Sequence, residues 1–542
     1  MSEELKRLGA LAAILVFLAV VAGLLLTDRP ALDETGSNSM PGSLSDIPVA
    51  GAAPGPGVAI ARKTLAVLPF TVLSNGPDDE YFTDGLTGEI IDALTRVPDL
   101  RVTARASAFY FREQKIPAGE IAERLGVAHL VDGSVSRAGE RLRVTARLFR
   151  TRDGQQLWSD TYDRRTAETY AVQADIAENI ALALDAGLDA ALRRAMRETT
   201  IGNVMALTEY QKGREFLDRA DSDVNPILIL RRANAHFEET VRLAPTYPDA
   251  YLHISKLYAR ILLSRANGEL DGNIMPDDAN SAPERLRRNY DMALRHAGNP
   301  RRFSAGFDRA LVLGDWSGLS ARADQALAAS GCTPARWISL ASAAFGKTRA
   351  LLDAFRNTAE CDPYRDRSWT QVTEAAMWLG APKTAQESAR SGLDRVQSER
   401  LTRAYVFALA GERRFSEAQQ LANARLRSDD ERLIAGFTIA ALKGNAAAAQ
   451  GHQDEFLSRH GPNDAVSLVM EAQRGNRNEA NRLAGLIDNR PFGYMSLLQA
   501  IYWCTCGAPF DLEATPTFAG KLTDSGLPWP PTAPLDYPLK DR

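Results

Sequence analysis

Four carboxylates, Asp78, Asp79, Glu80 and Asp84, follow directly on the apolar run "TLAVLPF" at 64–70. Acids this close together could hold a divalent cation or form a catalytic pair, but either use needs further ligands from elsewhere, and no EF-hand spacing is present. Acids at the start of a helix also complement its dipole and bond its free amides. Asp78 or Asp79 is therefore expected to be the N-cap of a helix carrying Leu86, with a partner-contacting edge as the alternative. His129, Asp132 and Ser134 fall on one expected hairpin strand, where close spacing does not create the opposed geometry of a catalytic triad. The other histidines, His236, His253, His296, His452 and His460, show no HExxH-like pairing. "ASAAFGKT" (Ala341–Thr348) ends like a phosphate-binding loop, yet Ala341 stands where glycine is required and no strand precedes it. No catalytic residue, cofactor or metal is expected.

The four cysteines suit an oxidising compartment without disulfide dependence. Cys332 and Cys361 occupy like positions in successive helical units. Helices packed at about 10 Å keep such positions beyond disulfide reach unless the loops bend inward. Cys504 and Cys506 form a CxC that is either a strained redox pair or two buried thiols.

The elements that must position these residues follow from length and pattern. A chain of 542 residues exceeds what one core usually organises. Its net charge of −4 and scattered Arg pairs exclude a nucleic-acid footprint. Residues Leu8–Leu26 carry no charge and are long enough to cross a bilayer as one helix. Val20-Val21-Ala22 resembles a signal-peptidase site, but the apolar run exceeds the roughly 7–15 residues of a signal peptide's core. Lys6 and Arg7 ahead of it favour a cytoplasmic stub at 1–7. Residues 27–61 contain five Pro, five Gly and four Ser with no aromatic residue, so they are expected to form an unstructured tether of roughly 33 Å root-mean-square span.

From 62 to 197 the pattern gives a strand, a helix ending near Pro98, a second strand at Leu100–Arg105 and a short helix. Three alternating strands and a long closing helix from Thr166 to Arg197 follow. The expected fold is an α/β sandwich with one mixed sheet. From 207 to 506 the chain is helical throughout, with a polar loop between Arg260 and Pro283. A Pro-rich tail at 508–542, including "GLPWPPTAPLDYPL", favours an extended path that packs back on the chain or is offered to a partner.

Two segments resemble known families. "LAVLPF…DDEYFTDGLTGEIIDALTRVPDLRVTARASAFYF" with "IAERLGVAHLVDGSVSRAGERLRVTARLFRTRDGQQLWSDTYDR" resembles the amino-terminal domain of TolB-type proteins in its stand-alone form. That form is found in bacterial membrane proteins ahead of tetratricopeptide repeats. The resemblance implies an interaction module without known catalytic residues, often set behind a nucleotide-cyclase or DNA-binding domain. Only seven residues precede the span here, so such a role implies a separate polypeptide. Ala233, Phe237, Thr240 and Pro245, then Tyr251, Ile254, Ser255 and Tyr258, resemble the tetratricopeptide register, where Ala233, Phe237, Pro245, Tyr251 and Tyr258 act in packing. Alanines at 321, 350, 385, 418, 447 and 480 are expected to mark the close helix contacts of one all-α solenoid with a curved inner groove.

The expected function is a single-pass bacterial inner-membrane scaffold whose bulk lies in the periplasm and binds protein partners through the groove, with no nucleic acid involved. The alternatives are a regulatory subunit acting on a separate cytoplasmic cyclase or transcription regulator, and an unrecognised enzyme in the α/β unit.

Overall fold

The computed structural model describes residues 63–537, apart from 98–99, 191, 194–195, 197–200, 221–224, 270–271, 299–300, 333–336 and 345. The expected stub at 1–7, the span from Leu8 to Leu26 and the tether at 27–61 lie outside the described residues. Among the described residues no helix is long and apolar enough to cross a membrane.

A six-stranded sheet is built from β1 (Thr64–Val67), β2 (Thr71–Val72), β3 (Arg101–Val102), β4 (His129–Ala138), β5 (Arg141–Arg150) and β6 (Gln156–Arg165). The order is β3-β1-β4-β5-β6, with β2 joining β4 beyond Pro69. β1 is parallel to both neighbours, whereas β4, β5 and β6 run antiparallel, so the sheet is mixed as expected. Strand alternation decides its two faces. Leu65 and Val67 on β1 share one face with Leu142, Val144 and Leu148 of β5, while Ala66 and Leu130 point to the other.

Four helices complete this unit: α1 (Asp79–Leu94), α2 (Arg105–Phe109), α3 (Ala118–Leu125) and α4 (Thr169–Ala183). α1 and α4 cover the larger face, and α3 closes the smaller with Ile121 and Leu125. Two expectations are corrected. The second strand is two residues long, because Arg105 already begins α2. The closing helix ends at Ala183 rather than running to Arg197, because Asp185 takes a left-handed conformation that a helix cannot continue through.

Helical hairpins follow, each a pair of packed helices. The first four are α5 (Val204–Ala220) with α6 (Pro226–Leu243), α7 (Pro248–Ala266) with α8 (Pro276–His296), α9 (Arg301–Leu313) with α10 (Leu319–Ala328), and α11 (Ile338–Ala344) with α12 (Thr348–Cys361). Next come α13 (Asp366–Trp378) with α14 (Pro382–Leu393), α15 (Glu399–Gly411) with α16 (Phe415–Arg425), α17 (Asp429–Lys443) with α18 (Ala446–His460), and α19 (Asp464–Gln473) with α20 (Arg477–Asp488). α21 (Gly493–Cys504) and α22 (Pro516–Ser525) end the array. Much of the expected polar loop at 260–283 is helix, since α7 runs to Ala266 and α8 starts at Pro276. The tail is likewise helical across α22, where Pro516 occupies the first turn, a position that tolerates its missing N–H.

The fourth residue of the second helix sets the hairpin register. Leu351, Ala385, Ala418, Ala449 and Ala480 hold that position from α12 to α20, each fully buried. Ala321, Ala350 and Ala447 are exposed. Loops of unequal length shift the helix starts, and at 100° per residue a slip of one or two positions turns a contact residue toward solvent. Ala233 and Phe237 are fully buried, and Tyr251 and Tyr258 nearly so. Pro245 is exposed instead; it lies in the turn after α6, where its carbonyl accepts the Tyr251 hydroxyl at 2.9 Å.

The array closes on itself. Buried Asn267, which caps α7, accepts from Ser496 Oγ of α21 at 2.5 Å, and its carbonyl accepts the Asp464 N–H at 2.8 Å. Tyr494 donates to the Val312 carbonyl at 2.8 Å, and Lys521 to that of Gly314 at 2.9 Å. The described residues lie in one compact unit, so the sheet and the hairpins share it.

Candidate functional site

The four acids after β1 each meet a cation. Asp78 stands at the N-cap of α1 but makes no side-chain capping bond; its carboxylate pairs with Lys212 of α5 at 3.0 Å. Asp79 folds back to the Gly76 N–H at 2.8 Å and takes Arg137 of β4 at 2.7–2.8 Å. Bonds from Ser74, Gly76 and Arg137 outweigh its burial and hold its carboxyl below the usual range. Glu80 and Asp84 both pair with Arg112, and Asp84 also faces Arg105 at 3.7 Å. The expectation of a simple helix cap is thus corrected: lysine and arginine from α5, β4 and the segment after α2 draw the carboxylates away from the free amides. Among the described residues no group of three or more His, Cys, Asp or Glu side chains is placed to hold a metal ion.

The other chemistry-bearing residues are dispersed. His129 is buried with Nδ1 3.3 Å from the Thr64 carbonyl, whereas Asp132 pairs across the sheet with Arg147 at 2.8 Å. Lys347 lies in the turn between α11 and α12 and pairs with Asp324 at 2.6 Å.

One cysteine pair departs from expectation. Cys332 and Cys361 are bonded, with Cα atoms 5.8 Å apart, because Cys332 sits in the loop after α10, which bends toward the end of α12. Cys504 and Cys506 are also bonded. The first bridge lies against the α/β unit. The Cys361 carbonyl accepts the Ala104 N–H at 2.8 Å, Asp362 accepts both the N–H and hydroxyl of Ser107, and Tyr110 stacks on Tyr364.

A second junction joins α1 to the first hairpins. Gly85 permits it: a Cβ there would lie 2.5 Å from Leu207 of α5. Beside it Glu89 accepts the Tyr247 hydroxyl at 2.8 Å, and Arg301 of α9 bridges Asp92 and Asp249 at 3.0 and 2.9 Å. Burial, reinforced by the neighbouring Asp92 charge, pushes the Glu89 carboxyl up to about 7.

A recess lies elsewhere among the described residues, on the first helices of the later hairpins. The recess, of about 320 Å³, is enclosed by α13, α15, α17, α18, α19, α21 and the tail. Met377, Trp378, Phe407, Phe437, Phe456 and Trp503 form much of its wall, and Trp503 is 41% exposed. Most of its polar residues have partners within the chain: Tyr502 donates to Glu374, Arg403 pairs with Glu431 at 3.0 Å, and Gln473 donates to the Cys504 carbonyl and the Tyr537 oxygen. Burial raises the Glu374 carboxyl above its ordinary range. Volume and lining match those of pockets that take apolar groups. Sequence reading missed this site. Its signal was the apolar pairs Ala404/Phe407, Ile434/Phe437 and Val466/Met470, three or four apart on successive first helices.

No family model matches the chain. Over 130 residues the chain is 37% identical to a protein from Rhizobium meliloti (strain 1021) described as "Putative adenylate cyclase 3". The shared stretch covers 24% of this chain and 22% of that relative, so this chain spans about a fifth of the length of the protein it resembles.

Proposed function

We propose that this chain is a protein-interaction scaffold tethered to the bacterial inner membrane by residues 8–26, with a TolB-like module and tetratricopeptide-type hairpins in the periplasm. The observation that carries the reading is the apolar recess on the first helices of the later hairpins. Most of its polar residues are bonded within the chain, which suits it to receive an apolar anchor. Pairing of the four cysteines as Cys332–Cys361 and Cys504–Cys506 supports an oxidising compartment. A photoreactive amino acid at Phe407 should crosslink to a protein in intact cells, and one at exposed Ala447 should not. Equal labelling at both positions, or at neither, would overturn the reading. A periplasm-only reporter fused after Lys63 should be active.

The partial match to a protein named an adenylate cyclase favours one second reading, a regulatory subunit for a separate cyclase. Purified full-length chain with ATP and magnesium should then form no cyclic AMP, while its deletion should change the cellular level.

A further inference from the structure

The tail forms part of the recess wall, where Leu535 lines it. Leu535 is 5% and Tyr537 1% exposed, whereas Asp536 between them faces solvent, so residues 535–537 alternate as an extended strand does. The Leu535 N–H bonds the Thr505 carbonyl at 3.0 Å, and Tyr537 Oη accepts from Gln473 at 2.8 Å. Leu535 seats where Gly411 leaves room: a Cβ on Gly411 would lie 2.8 Å from Leu535 Cδ2 and 3.0 Å from Met377 Cε. Space remains beside it toward Phe407, Phe437 and Trp503.

We propose that residues 531–537 are a displaceable internal occupant of the recess, and that the recess takes an extended partner segment with the same apolar–polar–aromatic pattern. The inference rests on the scaffold reading above. The tail lays Leu535 against the recess, buries Tyr537 on Gln473 beside it and places a backbone N–H on Thr505, so a short extended segment meets all three contacts. α22 anchors separately, through Asp488 to the N–H groups of Thr517 and Phe518 and through Lys521 to Gly314, so the tail beyond it can leave without unseating the helix. A partner segment would compete with an intramolecular copy, and its apparent affinity would be reduced by the fraction of time the recess is occupied.

The test uses full-length protein and a fluorescein-labelled peptide of residues 528–537. Tyr537→Ser and Leu535→Ser should each free the recess and tighten peptide binding about tenfold over the natural chain. Phe407→Arg in the Leu535→Ser background should abolish binding while circular dichroism and melting stay close to those of the parent. Should Leu535→Ser unfold the chain, a version ending at Thr532 serves in its place. No binding to any tail-weakened variant, or binding unaffected by Phe407→Arg, would overturn the inference. Crosslinks from Phe407 in cells without peptide binding would defeat this inference but leave the scaffold reading. Peptide binding without crosslinks would do the reverse.

Discussion

Glu89 is 4% exposed and takes the Tyr247 hydroxyl across the junction of α1 with α7. Its carboxyl is raised from an ordinary 4.5 to about 7, so the fold favours its protonated form. The stability this gives is fully present below about pH 4.5, falls as pH rises through 7, and is level above. Glu89→Gln keeps an acceptor for Tyr247 without the charge. It should stabilise the protein at pH 8 by about 3 kcal/mol, on a scale of about 1.4 kcal/mol per pKa unit, and leave it nearly unchanged at pH 4.5. Urea midpoints at both pH values measure this, and an equal difference at both would count against a titrating Glu89. Gly85→Ala drives a methyl into Leu207 and should cost about 1–3 kcal/mol by overpacking. Adding Leu207→Ala should recover part of the loss; simple additivity would show that the two residues do not press on each other.

At the scale of elements, α16 and the loop after α10 are the informative places. Ala418 is fully buried at the fourth position of α16, where a long charged side chain must be desolvated or force the helices apart. Ala418→Arg should destabilise the protein by several kcal/mol and remove peptide binding, although Ala418 does not line the recess. A natively stable Ala418→Arg protein would show that the hairpin register is wrong. Cys332 and Cys361 close a loop with a sequence separation of 29, and the Cys361 carbonyl accepts the N–H of Ala104, between β3 and α2. Replacing both by serine should cost about 2–4 kcal/mol. Amide exchange should quicken around Ala104 and Ser107 if the bridge grips the α/β unit; acceleration confined to residues 332–361 would argue otherwise.

For the whole molecule, the sheet core and the hairpin core are continuous, with Leu86 and Ile90 in the same cluster as Leu207 and Phe237. Contacts from the α/β unit reach hairpins as far apart in sequence as Gln211 and Tyr364. One cooperative unfolding transition is therefore expected, with amides of β4–β5 and of α15–α17 opening at the same urea concentration. Two separated transitions would mean that the α/β unit folds by itself.

What the sequence determines by itself is whatever depends on local periodicity. Leu65, Ala66 and Val67 alternate, and "RLRVTARLF" assigns Leu142, Val144, Ala146 and Leu148 to one face, so the mixed sheet was legible apart from the two-residue β2, which is too short to carry a pattern. Phe237, Tyr251 and Tyr258 carried the helical register in the same way. Side-chain pairing at a distance was not legible, because each partner comes from a different element. Asp78 meets Lys212, Asp79 meets Arg137 and Ser107 meets Asp362 only after folding. The Cys332–Cys361 bridge depends on how far one loop bends, which spacing cannot encode. The recess and its occupant were decided last of all. They exist because the array curls until α21 returns to α11 and α13 and the tail reaches Met377, bringing Leu535 beside it across a long interval of sequence.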